Sequence, residues 1–187
     1  MPSVPSVPSV PSVRPAAGPR PYVAVLGPGA PPAEAAATLE PAGEEVGRLL
    51  AEGGAVLLCG GLGGVMAAAA KGARSAGGVT VGILPGSDHR SANPWIELAI
   101  PTGLGEARNA VVVRSAHAVV AVGGEYGTLS EIALALKLGT PVVGLGTWRL
   151  QRGDGTEDGG IDHVETPREA AELALAVAVA RLAGETG

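Results

Sequence analysis

A glutamate stands directly behind a glycine-rich turn in the segment "GGEYGTLSE", which runs from Gly123 to Glu131. Its carboxylate has the chemistry to orient a water molecule, to transfer a proton or to stabilise a developing positive charge. The glycines before it let backbone N–H groups approach an anion closely, because no Cβ blocks the way. Carboxylate and glycine turn together make Glu131 the first candidate catalytic residue.

The same glutamate also fits a purely structural pattern. Thr128 and Glu131 have the spacing of a capping box, in which each side chain accepts a hydrogen bond from the backbone of the other residue. Thr166 and Glu169 repeat this spacing at the start of the last predicted helix, where no glycine cluster precedes them. The pattern therefore predicts that Glu131 caps its helix, and by itself it assigns no chemistry.

A second candidate is the arginine of "PTGLGEARNA". Arg108 and Asn109 open a helix predicted over residues 104–116. A positive charge in the first turn opposes the helix dipole unless an anion offsets it. Arg108 is therefore a candidate partner of a phosphate, of a substrate carboxylate or of Glu131, and a solvated arginine is the alternative.

Glycine turns follow several predicted strands, as "GPG", "GGLGG", "PTG" and "GGEYGT". Where such a turn opens a helix, free N–H groups and the positive end of the dipole suit a phosphate. Turns of α/β proteins are glycine-rich in any case, but two such elements at one edge favour phosphate binding. The predicted ligand-binding residues are Gly27, Gly29, Gly61, Gly63, Gly64, Thr102, Gly103, Asn109, Gly123, Gly124, Gly127 and Thr128.

The elements that must position these residues alternate along the chain. Short apolar runs such as "YVAVLG", "AVLLCGG" and "HAVVAVGG" predict strands buried on both faces, and helical segments separate them. The predicted helices span 42–54, 61–78, 104–116, 128–139 and 166–184, and residues 147–164 form a polar loop. This alternation predicts a Rossmann-like three-layer α/β sandwich with a parallel sheet, whose ligands bind beyond the carboxyl ends of the strands.

Composition excludes several classes of protein. The net charge is −5, only 2% of residues are aromatic, and no Lys/Arg stripe is present, so we predict no nucleic-acid partner. No apolar stretch is long enough to cross a bilayer, and the N-terminus lacks a secretory signal, so we expect a cytoplasmic protein without a membrane partner. Cys59 cannot form an intrachain disulfide, and no Cys/His spacing predicts a metal site.

Several nucleotide and hydrolase signatures are absent. The turn "GPGAPP" breaks the dinucleotide fingerprint G-x-G-x-x-G, and no acidic ribose anchor follows the second strand. The P-loop motif of nucleotidases, G-x-x-x-x-G-K-[ST], does not occur. The nucleophile motif of α/β-hydrolases, G-x-S-x-G, does not occur either. His117 precedes the fifth strand and is expected to be a helix C-terminal residue rather than a base. Anion binding by backbone groups remains as the main functional signal.

Residues 1–21 contain four Pro-Ser-Val repeats. Proline at every third position removes backbone donors and favours an extended, solvated chain. We therefore predict a disordered tail over residues 1–21 and a single folded domain over residues 22–187.

Three segments resemble the LOG superfamily, whose members are often labelled lysine decarboxylases. They are "GGLGGVMAAAAKGA", "GGVTVGILPG" and the long segment from "GLGEARN" to "GTPVVGL". Within the superfamily, the chain is most similar to the branch with molybdenum-cofactor carrier proteins and many uncharacterised bacterial members. The resemblance covers nearly all residues between 22 and 148.

The resemblance implies a Rossmann-like homodimer that hydrolyses nucleoside 5′-monophosphates to free base and ribose 5-phosphate, without a required cofactor. The family signature P-G-G-x-G-T-x-x-E places its glutamate on Glu131, its threonine on Thr128 and two of its glycines on Gly124 and Gly127. The upstream arginine falls on Arg108. It implies that Glu131 and Arg108 act in catalysis, with the glycine turn and Thr128 holding the 5′-phosphate.

Three positions depart from the signature. Gly123 stands in place of proline, Glu125 in place of the second glycine and Asn109 in place of lysine. Glu125 adds a negative charge beside the predicted phosphate loop, and Asn109 removes a positive charge. They fit the carrier branch better, whose ligand is a phosphorylated pterin. The alternative function is therefore a non-catalytic carrier of molybdenum cofactor or a related phosphorylated ligand, and regulatory nucleotide sensing is a third possibility.

Overall fold

A computed structural model describes residues 19–185 of the chain. Its strands are β1 (Tyr22–Leu26), β2 (Val56–Cys59), β3 (Thr80–Leu84), β4 (Leu98–Pro101), β5 (Ala118–Val122), β6 (Val142–Leu145) and β7 (Ile161–Val164). Its helices are α1 (Ala33–Glu52), α2 (Gly64–Ser75), α3 (Asn109–Arg114), α4 (Tyr126–Leu138) and α5 (Pro167–Glu185). Short 3₁₀ turns cover His89–Ser91 and Gly105–Arg108.

The seven strands form one parallel sheet in the order β4-β3-β2-β1-β5-β6-β7. The chain builds outward from β1 through β4, then returns to the other side of β1 and builds outward again. The direction reverses between β1 and β5, which is where open α/β sheets form a ligand crevice. The prediction of a Rossmann-like α/β fold is confirmed.

Helices cover both faces of the sheet, as the continuous apolar strands require. On one face, β-strand residues such as Val25 and Val120 pack against α1, α2 and α5. On the other face, Leu26 and Val119 pack against buried residues of α3 and α4 such as Ile132. Alternate residues of each strand point to opposite faces, so both layers bury small Ala, Val and Leu side chains.

Helices α1 and α2 approach each other through glycines. A Cβ built on Gly47 would lie 2.0 Å from the carbonyl oxygen of Ala69, and one on Gly72 would lie 1.8 Å from that of Glu44. Backbone atoms of the two helices therefore touch directly. No larger residue fits at these positions unless the helices separate.

Two predicted boundaries are wrong. Helix α1 begins at Ala33 rather than near residue 42, and Pro41 lies inside it. Alanines dominate the segment before that proline, and their helix propensity together with packing on α2 outweighs the missing N–H. The predicted polar loop 147–164 contains β7, a four-residue edge strand that pairs with β6.

The predicted tail of residues 1–21 lies mostly outside the described residues. Its last residues belong to the folded part, which begins earlier than Tyr22. The Arg20 side chain donates a hydrogen bond to the carbonyl of Gly54, and Val56 N–H donates one to the carbonyl of Pro21. Over residues 19–185, no helix is long and apolar enough to cross a membrane.

Candidate functional site

A cavity of about 800 Å³ opens beyond the carboxyl ends of β1 and β5, where the order of the strands reverses. The loop after β1, the 3₁₀ turn before α3 and the first turns of α4 line it. Seven of the predicted site residues line this cavity: Gly27, Gly29, Arg108, Asn109, Gly127, Thr128 and Glu131. The topology therefore brings the carboxylate, the arginine and part of the glycine turn of α4 into one site.

Arg108 and Glu131 form a buried ion pair in this cavity. Arg108 Nη1 lies 3.5 Å from Glu131 Oε1, and the two residues are only 8% and 7% exposed. The same nitrogen donates a 2.6 Å hydrogen bond to Asn109 Oδ1. In the described part of the chain, Arg108 Nε is buried without a hydrogen-bond partner. An unsatisfied buried donor is costly, so this N–H is a candidate for an interaction that the described residues do not supply.

Gly60, at the end of β2, makes room for the guanidinium group. A Cβ on Gly60 would lie 2.5 Å from Arg108 Nη2. Gly60 lines the cavity, whereas the residue predicted from the sequence was the neighbouring Gly61. Its position as the first residue beyond a buried strand, at the binding edge, is the signal that would have identified it.

Burial controls the protonation of Glu131. It raises the pKa of this carboxyl from 4.5 to about 7, although the positive charge of Arg108 acts in the opposite direction. Desolvation disfavours the charged form more strongly than one arginine at 3.5 Å favours it. Near neutral pH, Glu131 is thus present in both protonation states, as a general acid or base requires.

This pKa predicts a pH-dependent stability. The folded protein holds the Glu131 proton more tightly than the unfolded chain does, so the stabilisation is complete below pH 4.5 and is lost as the pH rises to about 7. Glu131→Gln cannot lose a proton. Between pH 5 and pH 8, urea unfolding should show the free energy of unfolding of the wild type falling by about 2 to 3 kcal/mol relative to the variant. Parallel pH curves for the two proteins would contradict the raised pKa.

The predicted capping box of Thr128 and Glu131 is wrong. Helix α4 begins at Tyr126, and its N-cap residue is Glu125, whose side chain makes no capping hydrogen bond. The turn at Gly123, where φ is +63°, lets the helix begin before Thr128. Glu131 therefore lies in the second turn and faces the cavity. By contrast, Glu169 Oε2 accepts from Thr166 N–H, and Thr166 Oγ1 accepts from Glu169 N–H, as predicted for α5.

The N-terminus of α4 presents free backbone donors to the cavity. Its first intrahelical hydrogen bond runs from Leu129 N–H to the carbonyl of Glu125. The N–H groups of Tyr126, Gly127 and Thr128 precede that bond, as in the first turn of any helix. Gly127 has no atom near the place of a Cβ, so the turn stays open on that side. A helix end of this kind can accept the oxygens of a phosphate or of another anion.

The predicted helix over residues 104–116 is divided in two. Gly105 has a φ of +56°, and the chain forms a 3₁₀ turn up to Arg108 before α3 begins at Asn109. Arg108 is thus the N-cap residue of a short helix rather than a residue of its first turn. Arg108 is buried against Gly60 and Glu131. This burial, rather than its position relative to a helix dipole, indicates a functional role.

Three predicted residues on "GGLGG" do not line the cavity. Val65 N–H, in the first turn of α2, donates to the carbonyl of Pro28, so this helix end is already occupied. A Cβ on Gly64 would lie 2.2 Å from the same oxygen, and one on Gly63 would lie 2.8 Å from the carbonyl oxygen of Gly29. Gly61 faces the Leu84 side chain instead. Gly63 and Gly64 let the loop after β1 pack closely against the start of α2.

Four further predicted residues shape loops around the cavity without lining it. Thr102 Oγ1 donates to the carbonyl of Leu84 and accepts from Leu104 N–H, and Gly103 follows with a φ of +66°. Gly123 makes the turn before α4, and Gly124 lies beneath Trp148.

Two other groups fall outside the site. His117 Nδ1 accepts a hydrogen bond from Tyr22 N–H at the start of β1. This contact lies at the amino-terminal ends of the strands, whereas the cavity lies at their carboxyl ends. Cys59 is fully buried, and burial raises the pKa of its thiol to about 11, which disfavours the reactive thiolate. Within residues 19–185, no group of three His, Cys, Asp or Glu side chains is arranged to hold a metal ion.

Two solved structures have this fold and a similar sequence. The molybdenum cofactor binding protein from the phototrophic bacterium Rippkaea orientalis has a TM-score of 0.73 and 34% identity, over 85% of this chain and 98% of that one. The molybdenum cofactor carrier protein from Chlamydomonas reinhardtii has a TM-score of 0.70 and 33% identity, over 87% of this chain and 99% of that one. These similarities confirm the resemblance to the carrier branch.

A relative from Archaeoglobus fulgidus, described as an uncharacterized protein, is 53% identical over 100 residues. The match covers 54% of this chain and 66% of that protein, so it spans just under two thirds of the relative's length. A family model described as the SLOG cluster4 family matches residues 20–171. The match begins just before β1 and ends within α5. The chain belongs to the SLOG cluster4 family.

Proposed function

We propose that this protein is a carrier that holds molybdenum cofactor, or a related phosphorylated ligand, in the cavity beyond the carboxyl ends of β1 and β5. The observation that carries the proposal concerns the side chain of Arg108. Its Nε is buried without a partner in the described structure, and the residue lines the same cavity as the N-terminus of α4. A phosphate bound there accepts hydrogen bonds from the α4 backbone and from the guanidinium group, both of which favour an anion.

The cavity also suits the rest of such a ligand. Its volume of about 800 Å³ lies within the usual range for small-molecule and cofactor sites. Leu26, Met66 and Leu134 give it an apolar wall, while the polar groups are concentrated around Arg108 and α4. One polar end and one apolar wall match a ligand with a phosphate at one end and a ring system at the other.

Two residues near the phosphate region, Asn109 and Glu125, support carriage rather than cleavage. Asn109 lines the cavity as a neutral amide, and the exposed carboxylate of Glu125 stands at the first turn of α4. Relative to the LOG signature, the phosphate region therefore loses positive charge. Two similar solved proteins are described as binding or carrying molybdenum cofactor.

A second function, hydrolysis of nucleoside 5′-monophosphates, is favoured by the pKa of Glu131. In that reaction a water oxygen attacks the anomeric carbon, the bond from this carbon to the base breaks, and the base leaves with a proton. An ionised Glu131 would orient the water and stabilise the positive charge at the anomeric carbon. A pKa near 7 leaves about half of the carboxyls ionised at neutral pH.

Binding and release measured on one sample separate the two functions. Calorimetry with GMP, AMP and ribose 5-phosphate reports binding, and chromatography of the same solutions reports free base. A carrier predicts binding with no base above that of a protein-free control. Release of base by the wild type, lost in Glu131→Gln, would establish the hydrolase and overturn the proposal of carriage without cleavage.

We also propose that the protein forms a homodimer, as the resemblance to the LOG superfamily implies. The helix predicted over residues 104–116 offers little apolar surface for a dimer contact, because Val112 and Val113 of α3 are fully buried within the protein. Leu98 and Ile100 of the edge strand β4 are about half exposed and offer an alternative. We expect light scattering to show a dimer in the wild type and a monomer when both residues are replaced by Lys. A monomeric wild type would contradict the proposal.

A further inference from the structure

Two of the few aromatic residues in this chain meet beside the cavity. The sequence has two Tyr, two Trp and no Phe, so an aromatic contact at the site is not a consequence of composition. Tyr126, the first residue of α4, lines the cavity and is 81% exposed. Its ring centroid lies 5.7 Å from that of Trp148, with an angle of 37° between the ring planes.

Trp148 contacts the segment that leads into α4. Its Nε1 donates a hydrogen bond of 3.3 Å to the carbonyl of Glu125, the N-cap residue of α4. Its ring packs over Gly124, where a Cβ would lie 2.8 Å from Trp148 Cδ1. Trp148 is half-buried and contributes no surface to the cavity, whereas Tyr126 does. The tryptophan therefore supports the tyrosine without closing the site.

Contact with Trp148 does not account for the position of Tyr126. A tyrosine that served only to pack on this tryptophan would bury most of its ring, yet four fifths of the residue stays exposed. Aromatic rings bury large areas when they pack, so an exposed ring at the edge of a cavity leaves a face free for a ligand.

We infer that Tyr126, supported by Trp148, is the surface on which the planar ring of the ligand stacks. The inference rests on the proposed function, because it takes the phosphate of the same ligand to lie at the N-terminus of α4, to which Tyr126 belongs. The ligand class is a phosphorylated heteroaromatic compound, such as a purine nucleotide or a pterin. Stacking on an aromatic side chain accepts any flat π system, so this surface selects for a ring and not for one base.

A pair of probes that share the phosphate isolates the stacking. GMP and ribose 5-phosphate both carry a 5′-phosphate, but only GMP has a ring, and guanine shares the 2-amino-4-oxopyrimidine unit of pterins. We expect the wild type to bind GMP more tightly than ribose 5-phosphate. Tyr126→Ala should weaken GMP binding about tenfold and leave ribose 5-phosphate binding within twofold. Tyr126→Phe, which keeps the ring, should restore GMP affinity.

Fluorescence gives an independent readout of the same contact. In a Trp95→Phe background, Trp148 is the only tryptophan, and GMP should change its emission while ribose 5-phosphate should not. The inference is wrong if the wild type binds GMP no more tightly than ribose 5-phosphate, or if Tyr126→Ala weakens both probes equally or neither. Failure of the phosphate site gives a different result, since Arg108→Met would then leave the binding of both probes unchanged.

Discussion

Replacing Arg108 with Met is expected to weaken the binding of GMP and of ribose 5-phosphate by about 100-fold or more. The guanidinium group is almost fully buried, and its Nε has no partner in the described part of the chain. A hydrogen bond to a charged group contributes about 1.5–3 kcal/mol, and tenfold in affinity corresponds to about 1.4 kcal/mol. Loss of one or two such bonds therefore removes most of the affinity, as calorimetry will show.

The variant should still fold, because Glu131 can become neutral. Removing one partner of a buried ion pair usually leaves a costly unpaired charge. Here the pKa of Glu131 is about 7 even beside Arg108, and loss of the positive charge raises it further. At pH 6.5 the carboxyl of the variant is protonated and carries no charge. Arg114→Met, at an exposed arginine that does not line the cavity, is the matched control and should bind like the wild type.

Gly60→Ala tests the same contact without removing the charge. The added Cβ would lie 2.5 Å from Arg108 Nη2, which is the end of a flexible side chain and can move. We expect a small change in stability and a clear loss of affinity, since the guanidinium group is displaced. Gly86→Ala, at an exposed glycine with open space around it, is the control. If both Arg108→Met and Gly60→Ala bind like the wild type, the phosphate site does not include Arg108.

A large loss of stability is expected for Gly72→Ala in α2. The new Cβ would lie 1.8 Å from the backbone oxygen of Glu44, so α1 and α2 must separate. Overpacking a tight contact costs about 3 kcal/mol, whereas the better helix propensity of Ala returns about 1 kcal/mol. A net loss of about 2 kcal/mol corresponds to a Tm lower by about 4–8 °C in a protein of this size.

The control for this prediction is Gly184→Ala. Gly184 also lies in a helix, α5, but no atom lies within 4 Å of its added Cβ. Thermal unfolding followed by circular dichroism should show a Tm equal to or above that of the wild type for Gly184→Ala. If Gly72→Ala is as stable as Gly184→Ala, the two helices do not depend on the direct backbone contact.

The sequence predicted the fold well where a strand is buried on both faces. Runs such as "AVLLCGG" and "HAVVAVGG" leave little alternative to a central parallel strand, and β2 and β5 lie there. Strand β7 was missed because it lies at the edge of the sheet and carries Asp162 and His163 among four residues. The start of α1 was missed because Pro41 was interpreted as a boundary, whereas packing on α2 continues the helix through it.

Site residues could be predicted only where a side chain of suitable chemistry lies in a segment at the binding edge of the sheet. Arg108 could be selected as a partner for an anion and Glu131 as a catalytic carboxylate, because both lie in segments at the binding edge, and they do meet in the cavity. The glycines could not be sorted by sequence, since a glycine that admits a ligand and one that admits a neighbouring backbone look alike. Gly64 is of the second kind, and Gly60 admits a side chain from a distant segment.

Native mass spectrometry of the purified protein, with chromatography of the ligand it releases, distinguishes carriage from cleavage. We expect the wild type to retain an intact phosphorylated ring compound, with molybdenum when the ligand is the cofactor, and Arg108→Met to retain none. Incubation with GMP should then give a complex with the mass of the intact nucleotide. A complex with ribose 5-phosphate and free guanine in solution would contradict carriage and show an enzyme instead.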